Sequence, residues 1–192
     1  MAMSFLRQSG AAIRLLVIAT LVLGVAYPAA GLLVGQAFPR ASAGSLLEVD
    51  GQVVGSRLIG QAVEGDQWFH PRPSAADYDA MRSGGSNLGP NNPELVGQIA
   101  QRQAQVAARE GVELAQVPPD AVTASGSGLD PGISPAYARL QVARVARTTG
   151  VPTALLLELI DEATTRPALG VLGAPSVNVV LLNASLARTI GP

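Results

Sequence analysis

Between Arg14 and Arg40 the chain runs 25 residues without a charged side chain. The centre of that run, Leu15-Leu16-Val17-Ile18-Ala19-Thr20-Leu21-Val22-Leu23-Gly24-Val25, is almost continuously aliphatic. A helix rises about 1.5 Å per residue, so roughly 20 apolar residues cross a hydrocarbon core of about 30 Å. Nothing comparable recurs in the sequence. The pattern predicts a transmembrane helix over residues 13–36, with a short N-terminus (1–12) before it, a linker (37–45) after it, and a body over 46–192. A cleaved signal peptide is the competing reading, because Ala41-Ser42-Ala43 has the small-x-small form of a cleavage site. Signal h-regions are typically about 7–15 residues, and this run is longer, continuing through Gly31-Leu32-Leu33-Val34. Tyr27-Pro28 near its far end suits an interface and is tolerated in a membrane helix. A retained anchor is therefore expected.

Arg7 and Arg14 precede the span, no acidic residue does, and Arg40 follows it. Positive-inside bias then puts the N-terminus in the cytoplasm and the body outside. The absence of cysteine excludes disulfides, thiolate metal sites and thiol nucleophiles. All 13 basic residues are arginine, so no P-loop lysine or Schiff base is available. Beyond Arg40, 10 arginines face 14 acidic residues, a net charge of −4 that disfavours nucleic-acid binding.

The body reads as one α+β domain with elements in irregular order. Leu46 to Gln61 is a hairpin turning at Asp50-Gly51. Glu64 to Asn92 is a long Pro/Gly-rich stretch, the kind of loop that is usually functional or disordered. Asn92-Pro93-Glu94 opens a helix ending at Gly111, and Ser134-Pro135 opens another ending at Gly150. The first carries a thin apolar stripe (Leu95, Ile99, Val106) and reads as a solvated surface helix. Between them, Val117 to Pro131 is again irregular. A third helix starts at Val151-Pro152-Thr153 and should bury Leu155-Leu156-Leu157 and Leu159-Ile160. Ser176 to Leu182 reads as a strand, with Asn183 capping a short terminal helix.

Candidate chemistry is sparse. His70, the lone histidine, has no carboxylate at ligand spacing and is expected to be structural. Trp68-Phe69 should anchor its loop to the core or to a partner. Ser83-Gly84-Gly85-Ser86-Asn87 presents consecutive glycine amides beside hydroxyls, a composition able to cradle phosphate. It resembles the Ser-Gly-Gly core of the ABC-type ATPase signature, yet no G-x-x-x-x-G-K-[ST] accompanies it. A tight turn self-capped by Ser and Asn is the expected reading. Ser125 and Ser127 lack an adjacent base. Glu158, Asp161 and Glu162 form a solvated face, and Asn183-Ala184-Ser185 matches a glycosylation sequon by spacing alone. No catalytic constellation and no metal site emerge.

In joint order the segments carry more. They are Gly55-Ser56-Arg57-Leu58-Ile59-Gly60-Gln61, Trp68-Phe69-His70-Pro71-Arg72-Pro73-Ser74-Ala75, Ser83-Gly84-Gly85-Ser86-Asn87-Leu88, Asn92-Pro93-Glu94-Leu95, Val122-Thr123-Ala124-Ser125-Gly126-Ser127-Gly128-Leu129-Asp130, Ile133-Ser134-Pro135 and Arg144-Val145-Ala146. Following a single N-terminal span, this order closely resembles the C subunit of the bacterial Kdp potassium-transporting P-type ATPase, over about Arg7 to Ile190. The resemblance implies a non-catalytic, single-pass subunit of the cell membrane that supports assembly and stability. Its implied partners are a channel-like potassium-translocating subunit, a P-type ATPase subunit and membrane lipid. It implies no tightly bound cofactor. ATP would enter only in complex with the ATPase subunit, whose affinity for it this subunit would raise as a catalytic chaperone, with Ser83, Gly84, Gly85, Ser86 and Asn87 as the candidate nucleotide contact. The alternative from another class is a freestanding anchored protein whose loops at 64–92 and 117–133 hold a small ligand. A membrane-bound hydrolase using Ser125 or Ser127 with His70 is a third.

Overall fold

A computed structural model describes residues 2–191; the outermost residues of the expected N-terminal and C-terminal segments, Met1 and Pro192, lie outside the described residues. The chain divides into two compact units, Met1–Ser45 and Leu46–Pro192.

The first unit is helical almost throughout: α1 (Ala2–Leu21), a π-helical turn (Val22–Ala26), α2 (Tyr27–Ala37) and the short α3 (Pro39–Ser42). The helical stretch Met3–Ala37 is long and apolar enough to cross a membrane. It begins well before residue 13, so Arg7 and Arg14 are helical, and Arg14 Nε donates to Gly10 O at 3.1 Å. The π turn has a local cause. Pro28 has no N–H to give Gly24 O, and its ring presses on that carbonyl. Widening the preceding turn relieves the crowding, and the Tyr27 N–H reaches back five residues to Val22 O.

The second unit starts with the expected hairpin, β1 (Leu46–Val49) against β2 (Gln52–Ser56), with a bulge between Leu47 and Glu48. Asp50 and Gly51 both have positive φ (52° and 77°), as a two-residue turn of this hand requires. No helix and no strand occurs from Arg57 to Asn92. Helix α4 (Pro93–Glu110) is capped by Asn92, whose side chain accepts from the Glu94 N–H. It ends at left-handed Gly111. Helix α5 (Pro135–Thr149) is capped by Ser134 and ends at left-handed Gly150, and α6 (Thr153–Glu162) follows. A small antiparallel sheet has the order β3 (Gly132–Ile133), β5 (Ser176–Asn178), β4 (Thr164–Thr165).

One expectation is corrected here. Residues 179–182 are not strand: β5 stops at Asn178, and α7 runs Val179–Ile190. Asn178, not Asn183, is the cap, accepting from the Leu181 N–H at 3.0 Å. The apolar run is too short to reveal its own period. Once helical, Val179, Leu182 and Leu186 fall on one buried stripe.

The core gathers Phe69, Tyr137, Val145, Leu156, Ile160, Val177, Leu182 and Leu186. Leu156, Leu159 and Ile160 are buried as expected, Leu155 is partly buried and Leu157 is exposed. Helix α4 is mostly solvated but buries Val106, Ala107 and Glu110.

Candidate functional site

The long loop is held to the body by polar side chains from two helices. Phe69 is wholly buried and Trp68 packs against the core, which fixes the loop's apolar end. The peptide groups of residues 69 and 70 would be buried without a neighbouring strand, so their hydrogen bonds must come from elsewhere. Asn183 on α7 supplies one pair: its Oδ1 accepts from Phe69 N at 2.9 Å and its Nδ2 donates to Phe69 O at 2.9 Å. Gln141 on α5 supplies the other, accepting from His70 N at 2.7 Å and donating to His70 O at 3.0 Å. Each carboxamide therefore stands in for one residue of a pairing strand.

Arg144, one turn beyond Gln141, completes the clamp. Its Nη2 donates to Gln141 Oε1 at 2.8 Å and its Nη1 to the carbonyls of Asp66 and Trp68. Its Nε lies 3.1 Å from both oxygens of Glu110. Arg144 and Glu110 are 3% and 5% exposed, so this is a buried ion pair whose remaining hydrogen-bonding groups are largely satisfied. His70 lies beside it, Nε2 donating to Gly65 O at 3.1 Å. Burial, then the charges of Arg109 and Arg144, lower its pKa to about 4, so the ring is neutral at pH 7. Among the described residues no hydrogen bond joins His70 to Ser125 or Ser127. Ser125 is buried, and its N–H donates to Pro73 O.

The glycine-rich candidates form a second contact. Ser83 Oγ and the Gly84 N–H both donate to Ser127 O, at 3.1 and 2.8 Å. Gly128 turns at φ 70°, and a Cβ there would lie 2.8 Å from Gly84 O and from Ala76 Cβ. A Cβ on Gly85 would come 3.2 Å from Gly126 O. The glycines thus allow two loops, 83–88 and 125–129, to lie backbone against backbone. Ser83, Ser86 and Asn87 are exposed, and Asn87 has φ 54°. The structure brings Ser83–Asn87 onto the Ser125–Leu129 turn and not into either cavity described next.

Among the cavities that open in this unit, two of about 360 Å³ border the long loop. One is apolar, walled by Val49, Val54, Val63, Trp68, Val179 and Val180. The other is polar, with Arg72, Arg102 and Arg109 in its wall beside His70, Ser74 and Tyr78. Tyr78 Oη donates to Arg72 O, and burial together with Asp130 raises the pKa of its phenol well above the usual value. Among the described residues no group of three or more His, Cys, Asp or Glu side chains is arranged to hold a metal ion.

The clamp residues escape a reading that treats polar side chains as surface. A signal was present: Tyr137, Gln141 and Arg144 follow at i, i+4, i+7, one stripe of α5, where a polar residue must find buried partners. Asn183 is committed to Phe69 and not displayed as a sequon would be.

Residues 9–188 match the family model described as KdpC: K+-transporting ATPase, c chain. A protein of Kineococcus radiotolerans named potassium-transporting ATPase KdpC subunit is 50% identical over 191 residues, covering 98% of this chain and 97% of that protein. Proteins of the same name from Gemmatimonas aurantiaca and Xanthomonas oryzae pv. oryzae are 52% and 44% identical, covering 86% and 94% of this chain and 85% and 88% of their own. Similarity spans the apolar helix, the clamped loop and the terminal helix, and the chain belongs to the KdpC family of K+-transporting ATPase subunits.

Proposed function

We propose that this chain is the non-catalytic accessory subunit of a high-affinity, ATP-driven potassium importer. In this reading residues 13–36 hold it in the cell membrane, the N-terminus is cytoplasmic, and the α+β body stands outside. The observation that carries it is the near full-length match to KdpC subunits, apolar helix included. Gly24, Ala26, Ala29, Ala30 and Gly31 support a packed span, because small residues let membrane helices approach closely. Its partners are the channel-like potassium-translocating subunit and the P-type ATPase subunit. Removing the chain is expected to abolish growth at micromolar potassium, and restoring it to recover growth; unimpaired growth without it would count against the role.

Within that role the subunit raises the affinity of the complex for ATP. Ser83, Gly84, Gly85, Ser86 and Asn87 are our candidate nucleotide contact, but ATP is cytoplasmic, so with the body outside the loop acts on the ATP site only through a change transmitted across the membrane. The exposure of Ser83, Ser86 and Asn87 supports this. Replacing Ser86 and Asn87 together by alanine should raise the KM for ATP of the purified complex and leave kcat unchanged. An unchanged KM would restrict the loop to its contact with Ser127.

A further inference from the structure

The body carries more acidic than basic residues, yet the wall of its polar cavity contains three arginines and no carboxylate. One side of the wall is encoded locally. Gln98, Arg102, Gln105 and Arg109 follow at spacings of four, three and four, one stripe of α4, and the last three line the cavity. Arg72 faces them from the loop segment that Gln141 and Asn183 hold in place.

These guanidiniums are under-neutralised. Arg102 donates only to neutral acceptors, Val122 O at 3.3 Å and Gln98 Oε1 at 3.2 Å, and among the described residues it makes no ion pair. Arg109 pairs with Glu110 at 3.2 Å, but that same carboxylate also serves buried Arg144. Arg72 pairs with Asp130 at 3.2 Å, its bonds to Thr123 O and Ala124 O are long at 3.4 and 3.5 Å, and its buried Nε has no acceptor. Four arginines thus share two ion-paired carboxylates, and the balance stays positive when Asp66, whose charge reaches His70, is counted as well. Planar guanidinium forks match the oxygens of phosphate-like anions, and a confined site strengthens the attraction. A cavity of about 360 Å³ is within the size range of small-ligand sites.

We infer that the cavity bounded by Arg72, Arg102 and Arg109 is a binding site for a tetrahedral oxyanion: phosphate, sulfate or the phosphate group of a monoester. The inference stands apart from the potassium-pump reading and from the Ser83–Asn87 loop. A free anion and a lipid headgroup phosphate offer the same chemistry, and the two are separated by experiment.

His70 lines the cavity and is the chain's one histidine, so its imidazole resonances report the site without assignment. The full-length chain, labelled at histidine and held in neutral detergent micelles, would be titrated with acid at fixed ionic strength in chloride and then in sulfate, which stays a dianion throughout. A bound dianion should raise the pH at which His70 titrates. The same titration in zwitterionic bilayer discs with and without phosphatidic acid identifies the source. A shift with sulfate supports a free anion, and a shift only with phosphatidic acid supports the headgroup. Arg102→Gln should weaken sulfate binding about tenfold or more, since it removes a charge-assisted contact. Gln105→Glu, which places a carboxylate on the exposed rim, should weaken it too. Identical His70 titrations in chloride, sulfate and phosphatidic acid discs would overturn the site, as would a sulfate shift indifferent to both substitutions.

Discussion

At the scale of the residue, the structure depends on side chains that take the place of missing backbone. Gln141 and Asn183 each exchange a donor and an acceptor with one peptide of the loop, and Arg144 secures the carbonyls just before it. Glu110 keeps that arginine neutralised. Removing one member of a buried pair leaves the other charge unmatched, at a cost of about 3–5 kcal/mol. Glu110→Ala should therefore lower stability by that order in urea unfolding of the detergent-solubilised chain. Trp68, the lone tryptophan, packs against the core beside the clamp and provides the fluorescence signal. The Glu110→Ala/Arg144→Met pair should lose less than the sum of its two singles. A second expectation concerns pH. The folded pKa of His70, about 4, lies below the ordinary 6.5, so between those values the unfolded chain binds the extra proton. Its contribution to stability is complete above pH 6.5 and falls as pH drops toward 4. From pH 6.5 to 5, where most carboxylates stay ionised, His70→Asn should flatten the measured fall. A slope unchanged by the substitution would contradict the assignment. His70 was legible in sequence as a structural histidine. Its clamp was not, because a glutamine and an arginine on an otherwise ordinary helix do not announce which distant peptides they serve.

At the scale of the element, legibility followed the strength of local chemistry. Asn92-Pro93 and Ser134-Pro135 state their helix starts through a cap acceptor and a residue with no N–H to leave unsatisfied, and Gly111 and Gly150 end them in the left-handed region. Asp50-Gly51 states its hairpin in the same way. The segment Ser176–Leu182 had no comparable punctuation. Its strand survives for three residues because β3 and β4 flank it, and those two-residue strands exist only through this tertiary pairing. The contact between loops 83–88 and 125–129 was equally hidden, although its residues had been singled out. Only the pairing shows why the glycines are needed. Gly128→Ala would force a Cβ against a backbone carbonyl at a positive φ, and a non-glycine residue in such a conformation costs roughly 1–3 kcal/mol. Hydrogen exchange should then show faster exchange at the Gly84 amide, which normally donates to Ser127 O. Protection equal to that of the parent chain would contradict the contact.

At the scale of the whole molecule, the apolar N-terminal unit and the α+β body were both legible, the first from an uncharged run and the second from mixed, capped elements. The membership of the KdpC family was legible from the order of motifs that are individually weak. Neither the two cavities nor their opposite characters could be read from sequence, because each wall is assembled from segments far apart in the chain. The absence of cysteine makes the proposed orientation directly measurable. In intact cells an impermeant maleimide should label Glu158→Cys, on the exposed face of α6, and should label Gln8→Cys only after the membrane is opened. The reverse pattern would invert the topology. The central claim, that this chain works as one subunit of a pump, is tested most directly by affinity purification of the tagged, full-length chain from its native membrane after growth in low potassium, with its partners identified by mass spectrometry. The account predicts recovery of a channel-like potassium-translocating subunit and a P-type ATPase subunit in fixed ratio; recovery of the chain alone would contradict it.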